Sequence, residues 1–170
     1  MRTLVFALLI QLAGFTGCAT TPAVPVAPTN VPATPEALGK KLMSAATAAD
    51  FKAITALYPT EALMRSVMNC KDPKWIPMVI KAMHTKKDQF IAALKGPLVG
   101  FSLRYVSAKK LAEKTFAAGE TNKGCTYRVP VRMQQHAWTF QLKKGEKSRN
   151  NTGEVVLWYL KDRGWFLVKF

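Results

Sequence analysis

The spacing of apolar residues changes once along the chain, near Pro97. Before that point apolar positions recur every three or four residues, the period of a helix with one buried face. Thr34-Pro35-Glu36 supplies a cap, a first-turn proline and a favourable acid. The stripe Leu38, Leu42, Ala45, Ala46 and Ala49 follows. Asp50 opens a second segment with Phe51, Ile54, Leu57 and Tyr58 at helical spacing, broken by Pro59. Thr60 restarts a short helix through Leu63, Met64, Val67 and Met68. Asp72-Pro73 then predicts the cap and first turn of the clearest helix. Its stripe is Ile76, Val79, Ile80, Met83, Phe90, Ile91 and Leu94, and Gly96-Pro97 ends it.

Beyond Pro97 the period is two, as in strands with one buried face. Val99, Phe101, Leu103 and Tyr105 alternate with small or polar residues. Tyr127, Val129, Val131 and Met133 do the same, and Pro130 marks an edge or a bulge among them. Trp138, Phe140 and Leu142 form a third run. The closing "EVVLWYLKDRGWFLVKF" reads as a hairpin turning at "KDRG", with Gly164 supplying a positive φ. The strands flanking that turn are apolar on both faces, which predicts a central place or a face lining a cavity. Helices first and then four or five antiparallel strands give an α+β fold, with helices packed on one face of a curved sheet.

The amino terminus belongs to neither pattern. Leu4 to Ala13 is mostly apolar. It is too short for a membrane span, which needs ~20 apolar residues, and fits the core of a signal peptide. Residues 19 to 35 hold five prolines and no charge. Proline blocks helix and ladder bonding, so this stretch predicts an extended spacer of ~3.1 Å per residue. Between them, Phe15-Thr16-Gly17-Cys18 resembles the lipobox of bacterial lipoproteins, departing from it in Phe15, where leucine is usual. The resemblance implies cleavage before Cys18 and acylation of that cysteine. Ala19, in place of an inner-membrane-retaining aspartate, implies the outer membrane, facing the periplasm. The expected organisation is a signal peptide over 1–17, a lipidated cysteine and tether over 18–35, and one domain of 135 residues over 36–170.

"AATAADFKAITALYP" and the closing hairpin together resemble nuclear-transport-factor-2-like cone domains. That resemblance covers residues 36–170 and implies a conical pocket between a bent sheet and its helices. Some members are isomerases or dehydratases, and many only bind. Their enzymes commonly use an aspartate with a histidine. Here the histidines are His84, one helical turn before Asp88, and His136 in "QQHAW". No dinucleotide fingerprint, P-loop, zinc-protease motif or nucleophile elbow occurs, and no cofactor or metal is expected.

Charge and cysteine narrow the partners. The formal net charge is +15. Residues 97–170 carry fourteen Lys/Arg against five Asp/Glu. For an envelope protein this points to anionic polymer, membrane or another envelope protein rather than nucleic acid. Lys143, Lys144, Lys147 and Arg149 cluster in "KKGEKSRNN", expected as a loop that either touches an anionic surface or only aids solubility. With Cys18 acylated, Cys70 and Cys125 remain as an even pair in an oxidising compartment, and one disulfide is the economical reading. Three functions fit: a non-catalytic, lipid-anchored accessory module binding a small ligand or protein partner, a basic module docking on envelope polymer or membrane, or a cone-fold lyase or isomerase. Replacing Cys18 with serine should leave an uncleaved precursor that incorporates no labelled palmitate; normal labelling would refute the lipobox reading.

Overall fold

A computed structural model describes residues 32–170. Cys18, the signal segment and most of the proline tract lie outside the described residues. The chain order is α1 (Pro35–Thr47), α2 (Phe51–Ala56), α3 (Glu61–Val67), β1 (Met68–Cys70), α4 (Trp75–Lys95), β2 (Ser102–Phe116), β3 (Thr121–Asn122), β4 (Cys125–Tyr127), β5 (Val131–Lys144), β6 (Lys147–Leu160) and β7 (Gly164–Lys169). The fold is α+β. Where one curved sheet of four or five strands was expected, the described residues form two: a four-stranded antiparallel sheet ordered β2-β5-β6-β7 and a small one ordered β1-β4-β3.

The caps explain the helix starts. Thr34, Asp50 and Thr60 each accept a hydrogen bond from the backbone N–H three residues on, at 3.0, 2.9 and 3.1 Å. Asp72 differs from expectation. Its carboxylate accepts from Lys74 N at 2.8 Å, forming a turn, and α4 begins at Trp75 with no side-chain cap. The α4 stripe buries Ile76, Ile80, Met83 and Leu94, and Lys87 continues it as a buried cation.

Pro130 proves to be a junction between sheets rather than a bulge within a strand. Tyr127 belongs to β4, whereas Val131 and Met133 begin β5, the same strand that carries Trp138, Phe140 and Leu142. Paired residues share a face and faces alternate along a strand. By the β5–β6 register, Gln134, His136, Trp138, Phe140 and Leu142 lie on one face with Val155 and Leu157. We call this the inner face. Val131, Met133, Trp158 and Leu160 lie on the outer face.

Burial falls in steps along this ladder. Near Val131 both faces are covered: Val131, Leu160, Trp158 and Phe166 on one, Leu157, Trp165 and Leu167 on the other. This bears out the reading of the closing strands as apolar on both sides. The small sheet meets the outer face there, where Phe116 stacks on Tyr127 at 4.4 Å. In the middle only the inner face is covered. Trp138 makes edge contact with Tyr105 at 6.0 Å, and Phe170 packs on Phe90 of α4 at 4.9 Å. Residues 143–150 are exposed throughout.

Hydrogen bonds tie the helical half and the chain that enters it to the large sheet. Thr47 Oγ1 accepts from Leu103 N at 2.8 Å and donates to Leu103 O at 3.0 Å, pinning the end of α1 to β2. Leu167 N donates to Leu57 O at 2.8 Å, and Trp165 N to Pro32 O at 3.0 Å. These carbonyls occupy the outer edge of β7. Cys70 and Cys125, direct partners across β1 and β4, form the disulfide. It closes a loop of 54 intervening residues, which the chain-entropy account values at ~4 kcal/mol. The free edge strand, β2, shifts register at Val106 and again at Leu111.

Gly39 marks a close approach of α1 to β2. A Cβ there would stand 2.5 Å from Tyr105 Cδ2. Glycine inside a helix costs ~1 kcal/mol relative to alanine, so its presence is explained by this approach. Gly39→Ala should lower stability in urea melts by ~1–3 kcal/mol, the usual cost of overpacking, and Tyr105→Leu in the same chain should recover part of that loss. A stabilised Gly39→Ala variant would contradict the packing.

Candidate functional site

The four cations singled out from the sequence are not in a mobile loop. Strands β5 and β6 run to Lys144 and Lys147, and only Gly145-Glu146 joins them. Gly145 takes φ 58, which suits the first central position of a tight hairpin turn. Strand alternation then sorts the cations. Lys144 pairs with Lys147 and Arg149 with Leu142, all on the inner-face side. Lys143 pairs with Ser148 on the outer side. Three of the four are therefore brought together and Lys143 is set apart.

These three surround an apolar floor. A depression of about 360 Å³ has Phe101, Leu142, Lys144, Lys147 and Arg149 in its lining. Lys144 Nζ stands 5.2 Å from the Phe101 ring centroid and 3.5 Å from Val99 O. Val99 is itself exposed. Among the described residues none of Lys143, Lys144, Lys147 and Arg149 forms an ion pair. Lys144 and Lys147 face each other directly, and like charges in that position destabilise a hairpin.

A second constellation lies deeper, and it was not assembled from the sequence. Lys110 Nζ donates to Glu113 Oε2 at 2.8 Å, and Gln134 Nε2 donates to the same oxygen at 2.8 Å. That bond orients the amide, so Gln134 Oε1 faces His136 Nε2 at 2.8 Å and must accept from it. The imidazole is thereby held with its proton on Nε2 and a lone pair on Nδ1. Nδ1 is buried and makes no hydrogen bond among the described residues. Burial pushes the His136 pKa below its ordinary value, Lys110 adds to this, and Glu113 opposes it. The available signal was parity: 134, 136 and 138 share a face of any strand that contains Trp138. Further along that face, the Arg132 guanidinium lies over the Tyr159 and Trp165 rings, at 4.6 and 5.0 Å.

His84 and Asp88 do not form a site. Asp88 pairs with Lys87 at 3.4 Å and pushes the buried Tyr58 hydroxyl pKa up, a smaller effect there than burial. Among the described residues no three His, Cys, Asp or Glu side chains could hold a metal ion. No described helix is long and apolar enough to cross a membrane. No family model matches the chain, and neither a curated protein nor a solved structure matches it significantly.

The histidine generates a pH prediction. The unfolded chain protonates His136 near ~6.5, and the folded chain does so only at lower pH. The unfolded state therefore binds more protons just below ~6.5, and stability falls there as pH falls. The loss ends once pH is below the folded-state value. Melting curves from about pH 7.5 to 5.5 should show this slope, and His136→Gln should flatten it. An unchanged slope in that variant would place the acid sensitivity elsewhere.

Proposed function

We propose that this protein is a non-catalytic, lipid-anchored binding module of the cell envelope whose β5–β6 hairpin end docks on an anionic polymer. One observation carries the reading. Lys144, Lys147 and Arg149 converge on one side of a tight hairpin end, over Phe101 and Leu142, with no acid paired to them. Folding alone would favour an acid opposite Lys144. A lysine there costs stability, and a polyanion offsets that cost by entering between the like charges. The apolar floor suits the faces of sugar rings or the stems of acidic side chains. The "FTGC" segment and the proline tract support the anchor, with Cys18 as the acylated residue and the outer membrane as its place. We read the helix-then-sheet order as a nuclear-transport-factor-2-like cone.

A second reading, a small ligand held on the inner face, is favoured by the buried, unpaired Nδ1 of His136. A neutral imidazole backed by Gln134 and Glu113 accepts a hydrogen bond from a hydroxyl or amine. The same group would serve as the base of a cone-fold lyase.

The charge pair separates function from fold. Lys147→Glu should place an acid opposite Lys144 and raise stability by ~0.2–1 kcal/mol. The same change should weaken binding of the chain from Ala19 onward to polyglutamate by roughly tenfold or more. Both are measurable on one sample, by melting and by co-sedimentation at low and physiological salt. Full binding by the stabilised variant, or no binding by the wild type at low salt, would show that the cations only solubilise the domain.

A further inference from the structure

The direction in which the tip points follows from where the tether enters. Pro32, the first described residue, is tied by its carbonyl to Trp165 N. Trp165 follows Gly164, which pairs with Leu160, which pairs with Val131. The chain therefore joins the domain at the Val131 end of the ladder. Lys144 and Lys147 close the opposite end. Thirteen residue steps separate Val131 from Lys144. At ~3.3 Å each, the entry point and the cationic tip are about 40 Å apart.

We infer that the tip makes its contact in trans: it meets a carboxylate-bearing polymer on the side of the domain away from the anchoring bilayer, not that bilayer's own headgroups. The inference rests on the proposed anchor and on the proposed anion-binding role of the hairpin end. Three facts support it. First, an anchor amino-terminal to Pro32 pulls on the end of the sheet that lacks the cation cluster. Second, turning the domain over would hold Pro32 about 40 Å above the bilayer. Thirteen residues lie between Cys18 and Pro32, and a fully extended chain of that length reaches only about 50 Å. At ~3.1 Å per residue the proline-rich spacer would just span that height, so inversion requires it to stand upright at its full length, one of many orientations otherwise open to it. Third, charges screen over ~8 Å at physiological ionic strength. A tip held some 40 Å out feels little of the anchoring membrane, whatever its lipid charge. The exposed Val99 and the cations around Phe101 are then free for a polymer approaching from beyond.

The test couples the chain from Cys18 onward, through the Cys18 thiol, to a maleimide lipid in two kinds of vesicle. One is neutral phosphatidylcholine, the other contains about a third phosphatidylglycerol. The probe is fluorescent polyglutamate, captured by the vesicles at physiological salt. A tip held in trans captures it equally, within about twofold, on both vesicles, and Lys144→Glu/Lys147→Glu/Arg149→Glu abolishes capture on both. Capture on neutral vesicles that falls more than tenfold on anionic ones would mean that the tip lies on its own bilayer. The inference is then overturned while the anion-binding reading stands. The unanchored chain, mixed with polyglutamate at low salt, supplies the other control. Absence of binding there removes the underlying reading and the inference with it. The melting temperature of the triple variant, expected to stay within a few degrees of the wild type because one like-charge pair replaces another, excludes misfolding as the reason for lost capture.

Discussion

The β5–β6 ladder must satisfy water differently along its length, and the rest of the molecule is arranged around that demand. Its fourteen register pairs run without a shift, so neither strand can rotate its side chains to the other face part-way. The sequence must therefore state, residue by residue, which face is dry. At the Val131 end both faces carry large apolar groups and both need cover. The β7 strand, the helices and the disulfide-tied small sheet supply it. In the middle only the inner face is dry, and α1 and Phe170, which follows the terminal strand, close it. At the far end no element remains to cover either face, and the residues there are correspondingly polar or charged. Apolar burial, worth ~25 cal/mol per Å², is thus two-sided at the Val131 end and one-sided beyond it, where Trp138 and Leu142 are still buried.

This gradient explains what could be read in the sequence and what could not. Helical stripes survive because each helix has one dry side, so Leu38, Leu42, Ile76, Ile80 and Met83 announced themselves by spacing. The "KDRG" hairpin was legible because a tight turn needs a positive φ, and Gly164 and Asp162 both adopt one. The long middle of β2 was not legible. From Val106 to Thr115 every residue is exposed, so nothing there alternates, and pairing with β5 alone makes it a strand. The strands β1, β3 and β4 are two or three residues long, too short for any period. Lys87 interrupts the α4 stripe as a cation that is nevertheless buried, an outcome that neighbours decide and spacing does not.

The candidate site was half legible for a related reason. Composition located the cations, but whether they converge is a question of strand parity and turn length. Taken as a loop, residues 143–149 offered four equivalent charges. As a ladder closed by two residues, they divide three to one. His136 was visible as a residue type only. Its tautomer depends on Gln134, and the orientation of Gln134 depends on Glu113 across the strand boundary. No local pattern records such a chain of dependencies. The two constellations also differ in kind: the tip is charged, open and costly to the fold, and the histidine chain is linked by hydrogen bonds that leave Nδ1 buried without a partner among the described residues.

The free edge of β2 has a bearing on crowding. Past Leu103, whose backbone Thr47 engages, the edge of this fifteen-residue strand is a template on which a second copy could pair. Two features blunt it. The register shifts at Val106 and Leu111 break the edge into lengths too short for continuous pairing. Lys109 and Lys114 add positive charge that an identical neighbour would have to face, whereas Lys110 is paired with Glu113. The irregularities of β2 thus act against edge-to-edge pairing of one copy with the next.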